Sequence, residues 1–314
     1  MLKDNLNSMN IGAKTVVEEC LNIKPWEKVL VLTDNKMISI GKMLYDASKK
    51  INLETFLVVM EPTSRDGEEP PQIIADVMKK CDVVIAVTYN SLSHTKARKE
   101  ATAAGVRIAS MPKVDRFSFV KGGLTANYAE VHKLCEKMKK AVEDCKEIKI
   151  IAKGTEMNFS VQGRGWKMDE GKIHDSGQWG NLPAGEIFTA PVEGTANGKI
   201  LFKHMGKFGK EIELAIENGL VKEINSEKLE EIFTDLGEKS RVVAEIGIGC
   251  NPKAKVIGNI LEDEKVCGTV HMAVGNNVEC GGNNYVQLHA DGIIEKPTLV
   301  VDGKTIIRNG KWMI

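Results

Sequence analysis

Between residues 28 and 110 the chain alternates short apolar runs with stretches of helical period. Lys28–Thr33 (KVLVLT) is a continuous apolar run, the pattern of a strand covered on both faces in a parallel sheet. Met37–Lys50 follows with helical spacing, Glu54–Met60 (ETFLVVM) reads as a second strand, and Pro71–Lys80 reads as a helix with proline in its first turn. Asp82–Thr88 (DVVIAVT) gives a third strand, His94–Ala104 a helix ended by Gly105, and Val106–Ser110 (VRIAS) a fourth strand. This βαβαβαβ order, with right-handed crossovers, predicts an α/β half built on a doubly wound, mostly parallel sheet. Asn127–Lys146, rich in Lys and Glu, reads as the helix that closes it.

From Lys149 the period changes to short alternating runs among glycines and turn signals. Gly194–His204 reads as a strand with a turn, Ser226–Leu236 as a short helix, and the chain from Arg241 as β-type runs between Gly-Asn clusters. Thr298–Val301 and Lys304–Arg308 flank Asp302-Gly303, a hairpin signal. The pattern therefore predicts two domains: an α/β domain over 1–148, flavodoxin-like or Rossmann-like, and an α+β domain over 149–314. The turn after the first strand, Thr33–Met37, contains no glycine, and no GxxxxGK[ST] occurs. A dinucleotide needs glycines there so that the backbone can approach its pyrophosphate, so the first domain is predicted to lack a nucleotide motif.

Composition narrows the classes further. The 314 residues carry 43 basic and 43 acidic side chains, a formal net charge of zero. That balance offers no diffuse positive field for nucleic acid. Met1–Asn10 has no apolar signal-peptide core, and no apolar stretch approaches the roughly 18 residues a spanning helix needs, so a cytoplasmic protein with no membrane partner is expected. The seven cysteines are scattered and form no CxxC pair, which fits free thiols in a reducing compartment.

The candidate chemistry lies in the second half. His289 and Asp291 form a His-x-Asp pair; in a strand, positions i and i+2 share a face, so imidazole and carboxylate can reach one point. His271 ends the strand-like run Gly268–His271. Glu186 sits in the otherwise apolar or small stretch Leu182–Pro191, and Glu245 interrupts the apolar run Val242–Gly249. A charge in a buried strand costs several kcal/mol, on the order of 3–5, unless it is paired or bound to a cation. Two carboxylates, two histidines and an aspartate suit a hard-to-borderline divalent ion such as Zn²⁺, Co²⁺, Mn²⁺ or Fe²⁺, and five ligands allow two metals.

The segments NLPAGEIFTAPVEGT, AEIGIGCNP, GTVHMAVG, CGGNN and LHADGII, in this order, resemble the thermophilic-type metalloaminopeptidases (aminopeptidase T, aminopeptidase S and PepS), well over residues 180–312 and loosely over the α/β half. The resemblance implies a cocatalytic site for two divalent metal ions (Zn²⁺, Co²⁺ or Mn²⁺), a homodimer, and release of N-terminal residues from a peptide substrate. The family's metal ligands fall on Glu186, Glu245, His271, His289 and Asp291. Its metal-site tyrosine falls on Val278, so Tyr285 is the candidate to replace it, and Glu279 is the candidate proton shuttle. The chain is also short between His271 and His289, which points to a rebuilt pocket and leaves a small-molecule substrate open.

The same residues allow a second chemistry. His271, His289 and Asp291 have the composition of a facial triad that binds Fe²⁺ with open positions, and the ring-cleaving 2,5-dihydroxypyridine dioxygenases resemble the same family. A third reading is a metal-stabilised binding protein without turnover. In the first domain, His94 and Arg98 follow the C-terminal end of the third strand, where open α/β sheets place ligands, and are the substrate-binding candidates; Ser93 or Thr95 as a helix cap is the structural reading of the same stretch.

Overall fold

The computed structural model of the chain describes residues 11–314; the polar segment Met1–Asn10 lies outside them. The chain is mixed α/β, with a parallel sheet in its N-terminal part and antiparallel sheets in its C-terminal part. It divides into two compact units. One takes residues up to His132 together with Asp169–Ala184 and Lys253–Lys255, and the other takes Lys133–Met168, Gly185–Pro252 and Val256–Ile314.

In the first unit, strands β1 (Val29–Asp34), β2 (Thr55–Met60), β3 (Val83–Val87) and β4 (Arg107–Ser110) alternate with helices α1 (Ile38–Lys49), α2 (Gln72–Met78) and α3 (Lys96–Ala103). Every residue of β1, β3 and β4 is buried, which is why these segments are continuous apolar runs rather than alternating ones. The sheet order is β2-β1-β3-β4 and then Trp179–Asn181, a strand from much later in the chain that pairs parallel to β4. Leu30, Leu32, Val84, Ala86 and Ile108 of the sheet pack with Ile74, Met78, Ala97 and Ala101 of the helices. Two more helices follow: the short α4 (Arg116–Val120), capped by Asp115, and the 15-residue α5 (Tyr128–Val142), whose residues from Lys133 on belong to the second unit. The Arg107 guanidinium, almost fully buried, donates 2.6 and 2.8 Å bonds to the two oxygens of Glu27 and a 2.9 Å bond to the Ile173 carbonyl. Among the described residues no helix is long and apolar enough to cross a membrane.

The second unit holds two sheets. The eight-stranded one is built from β5 (Glu147–Ala152), β6 (Thr155–Ser160), β10 (Asn197–His204), β11 (Lys210–Glu217), β12 (Leu220–Ile224), β16 (Thr298–Val301), β17 (Lys304–Arg308) and β18 (Lys311–Trp312). The remaining strands are β7 (Lys167–Asp169), β8 (the parallel strand Trp179–Asn181), β9 (Glu186–Thr189), β13 (Val243–Gly249), β14 (Val270–Gly275) and β15 (His289–Ile294). Of these, β15-β14-β13-β9-β7 form the five-stranded sheet, with α6 (Glu227–Leu236) and the short α7 (Ile260–Asp263) on the connections. The Asp302-Gly303 turn closes the β16–β17 hairpin as its dipeptide predicts. The two sheets meet where Gly292 of β15 lies under the Phe202 ring of β10: a Cβ on Gly292 would come within 2.4 Å of that ring.

Candidate metal centre

The register of the five-stranded sheet decides which side chains meet. Gly249 pairs with Glu186, Gly247 with His271, Glu245 with Ala273, Ala273 with Asp291, and Gly275 with His289. Directly paired residues point to the same face, so Glu186, Glu245, His271, His289 and Asp291 all project from one side of the sheet. The other side presents Ile187, Ile246, Ile248, Val270, Met272, Val274 and Ile294, all buried. The polar face is interleaved with Gly247, Gly249, Ala273 and Gly275, and these small residues leave the room that the charged side chains occupy.

The ligand atoms fall into two trios. Glu186, Glu264 and His271 form one and Glu245, His289 and Asp291 the other, with the atoms of each within 4.8 Å of one another. Glu245 joins them: its Oε1 is 3.5 Å from His271 Nε2 and its Oε2 is 3.1 Å from His289 Nε2. Glu186 Oε2 lies 3.3 Å from His271 Nε2, and Asp291 Oδ1 lies 3.3 Å from His289 Nε2. Glu186, Glu245, Glu264 and His271 are buried, and His289 keeps 21% of its side chain exposed.

Two residues of this cluster escape sequence reasoning. Glu264 and Lys265 belong to the run Glu262-Asp-Glu-Lys265, four consecutive charges that read as a solvated surface, yet all four are buried. Lys265 Nζ is 2.5 Å from Glu186 Oε1 and 2.8 Å from Glu264 Oε1. The turn is pinned from beneath by Asp263, which accepts from His204 Nε2 at 2.6 Å and from the backbone N–H groups of Ile257 and Gly258 at 2.7 and 2.8 Å. No spacing or period marks these residues in the sequence. The Cys280 thiol also belongs here, donating to Glu245 Oε2 at 2.9 Å.

Three buried carboxylates and the half-buried Asp291 against one lysine leave a large negative excess, which shifts the proton affinities of the cluster. Burial pushes the Glu186 carboxyl up to about 7, against the pull of Lys265. Burial also raises Glu264. Burial works against a charge on His271, but the Glu186 and Glu245 carboxylates outweigh it and lift the imidazole to about 9. His289 is raised well above its ordinary value by Asp291 and Glu245, again against burial. Glu245 is held well below the usual carboxylate range because hydrogen bonds from the two histidines overcome the cost of burying it.

The donor set fits a divalent cation. His289 Nδ1 faces the Asn276 carbonyl at 2.7 Å, and a carbonyl can only accept, so the proton of the neutral ring sits on Nδ1 and the Nε2 lone pair points at Glu245 and Asp291. Glu186 Oε2 is buried with no hydrogen-bond partner while lying beside His271 Nε2. A carboxylate oxygen left in that state is costly unless a cation shares it.

Gly247 sets the position of His271. A Cβ there would stand 2.0 Å from both Cε1 and Nε2 of the imidazole, so the ring lies flat across the bare strand. Gly247→Ala is therefore expected to turn His271 away and weaken ion binding by about ten- to a hundredfold, the range for disturbing a ligand's support. Metal titration of the folded variant checks this; an unchanged affinity would refute the cradle.

The remaining sequence candidates lie elsewhere. Glu279 is on the short turn Val278–Cys280, outside both trios, with its carbonyl accepting from Lys167 Nζ. Tyr285 is 62% exposed, on the stretch after that turn, and Val278 is exposed as well. In the first unit, Thr95 caps α3, accepting from the Arg98 N–H at 3.2 Å. Arg98 is buried, its guanidinium 3.9 Å from the Trp179 ring centroid and its Nε donating to the Ser93 carbonyl at 2.6 Å, while His94 meets Trp179 edge-on at 6.3 Å.

Comparison with known proteins gives relatives of two chemistries. Residues 13–314 match the family described as NicX: 2,5-dihydroxypyridine 5,6-dioxygenase. Aminopeptidase AmpS of Bacillus subtilis (strain 168) is 26% identical over 197 residues, 51% of this chain and 48% of the relative, so the match spans about half the length of that protein. Two solved structures share the fold at 16% identity. The 2,5-dihydroxypyridine dioxygenase from Pseudomonas putida KT2440 superposes with a TM-score of 0.79, covering 97% of this chain and 96% of its own. Wild-type AmpT from Thermus thermophilus gives 0.71, covering the whole of both chains.

Proposed function

The chain belongs to the NicX, 2,5-dihydroxypyridine 5,6-dioxygenase, family, and from that premise, with its fold serving both an oxygenase and an aminopeptidase, we propose that its ligand atoms favour a two-ion hydrolase that removes N-terminal residues from peptides. One observation carries this reading: the two histidines fall in separate carboxylate trios, and Glu245 reaches one with each oxygen. A carboxylate placed between two His-carboxylate sets would suit a pair of divalent ions, whereas a single ion would have little use for Glu186, Glu245 and Glu264 together. The ions, Zn²⁺, Co²⁺ or Mn²⁺, would supply Lewis acidity for the scissile carbonyl and lower the pKa of the attacking water.

The protein side of the chemistry is then defined. Glu186 and His271 hold one half of the centre, His289 and Asp291 the other, and Glu245 fixes their separation. The Asn276 carbonyl keeps the His289 proton on Nδ1 and its Nε2 directed inward. Glu264 would complete the first half beside Glu186 and His271.

The family match favours a second reading, in which His271, His289 and Asp291 alone hold Fe²⁺ for ring cleavage of a dihydroxypyridine. Metal analysis of protein purified without added ions, followed by assay of aminoacyl-anilides with Co²⁺, Zn²⁺ and Mn²⁺ in turn, separates the two. Two ions per chain and hydrolysis are expected. One iron per chain, with oxygen consumed on 2,5-dihydroxypyridine and no anilide hydrolysis under any ion, would replace the first reading by the second.

A further inference from the structure

The two halves of the centre are not electrically alike. Glu186 and Glu264 are each ion-paired with Lys265, a side chain with no exposed surface. Its Nζ occupies one oxygen of each carboxylate of the first trio, 2.5 Å from Glu186 and 2.8 Å from Glu264. Glu245 and Asp291 instead face His271 and His289, whose Nε2 atoms can themselves serve as ligands to an ion. A divalent ion entering the second trio would find an imidazole nitrogen and two carboxylates with no ammonium among them. An ion entering the first trio meets an ammonium already neutralising two of its three ligands, at the short range where like charges repel strongly in a buried site.

We infer that Lys265 sets the number of ions the centre holds, by making the Glu186/Glu264/His271 half a weak site beside a tight site at Glu245/His289/Asp291. This rests on the reading that both trios bind divalent ions, and it identifies which of them fills first and why. Lys265 is held in place for this role by the turn it sits on: the Asn251 N–H donates to the Lys265 carbonyl at 2.8 Å, and the preceding Asp263 is anchored by His204. With Lys265 in place the chain works as a one-ion protein at low metal and as a two-ion protein at high metal, so members of one fold could differ in ion count through a single buried charge.

The test is a titration of chelator-stripped full-length protein with Co²⁺, followed calorimetrically and by the visible absorption of the bound ion, with no turnover required. Wild type is expected to show two classes of site separated by about a hundredfold or more in affinity. His289→Gln should abolish the tight class and His271→Gln the weak one. Lys265→Gln should strengthen the weak site by about a hundredfold, bringing the two within roughly tenfold. If that variant does not fold, Lys265→Met, of similar length and without charge, takes its place, and the wild-type and histidine titrations need neither. Two equal sites in wild type, or an unchanged weak site in both folded lysine variants, would overturn the inference. Absence of peptide hydrolysis with graded binding intact would instead overturn the proposed function and leave the inference standing.

Discussion

Glu245→Gln is expected to reduce bound metal from two ions per chain to at most one and to lower kcat/KM for an aminoacyl-anilide by about a thousandfold or more. Glu245 is the one ligand that faces both histidines, Oε1 toward His271 and Oε2 toward His289. An amide of the same shape offers one oxygen, without a full charge, in place of two. Lewis-acid stabilisation of a transition state is worth several kcal/mol, on the order of 4, and each 1.36 kcal/mol is a factor of ten in rate. The strand itself should survive: β13 is buried along its length, and the amide oxygen can still accept from Cys280 Sγ, which now lies 2.9 Å from Oε2. Metal analysis, kinetics and a melting curve on the same preparation check the three parts together. The variant also discriminates between the two chemistries, because a site made of His271, His289 and Asp291 alone would lose far less when Glu245 changes. Two ions retained, with activity within tenfold of wild type, would remove Glu245 from the centre.

How much of this centre was readable in advance follows from where each residue's signal lies. Glu245 stands out because it breaks a run of seven residues that are all buried, and His289 and Asp291 because strand alternation puts i and i+2 on one face. β1, β3 and β4 were legible for a related reason: parallel strands covered on both sides become largely apolar runs. Glu264 and Lys265 carry the opposite signal. Their burial depends on Glu186 and His271, which come from other strands, and on the Asp263–His204 pair beneath them. None of those contacts is local, and a window around Glu262–Lys265 contains only a string of charges. Trp179–Asn181 was hidden too. Three residues in a glycine-rich stretch have no period of their own, and what makes them a strand is the edge of β4, offered by residues some 70 positions earlier. Local pattern thus revealed the side chains that sit on regular strands, and missed those that depend on a turn folding back over the sheet.

The metal-free protein is expected to lose stability as pH rises from 7 to 8.5, and added divalent ion is expected to abolish that loss. His271 and His289 both have raised proton affinity in the folded state, His271 to about 9 from an ordinary 6.5. A group whose folded pKa lies above its unfolded one contributes stability that is fully present below the unfolded value and disappears as pH climbs through the folded value. For His271 the window opens near 6.5 and extends to about 9, and for His289 it opens at the same value and extends well above it. Within it the folded chain holds up to two protons that the unfolded chain has released, a slope of about 1.4 kcal/mol per pH unit for each. Glu186, lifted to about 7 by burial, acts in the same direction at the lower end of the window. Glu245 has the opposite shift, so its contribution is present throughout this range and is lost only as pH falls below the ordinary carboxylate value. Buried thiols such as Cys250 and Cys280 are raised by burial and add their own loss at higher pH, when the unfolded chain's thiols ionise, which is why the measurement stops at 8.5. An ion bound between the carboxylates takes the place of the imidazole protons, so with metal present the folded state has no protons to lose and binding strengthens as pH rises. Denaturant unfolding at four pH values between 7 and 8.5, with and without Zn²⁺, reads both slopes. His289→Gln should lower the metal-free slope by about one proton's worth. A metal-free slope that is flat or positive, or one that zinc leaves unchanged, would show that the two imidazoles do not carry the charge that the four carboxylates demand.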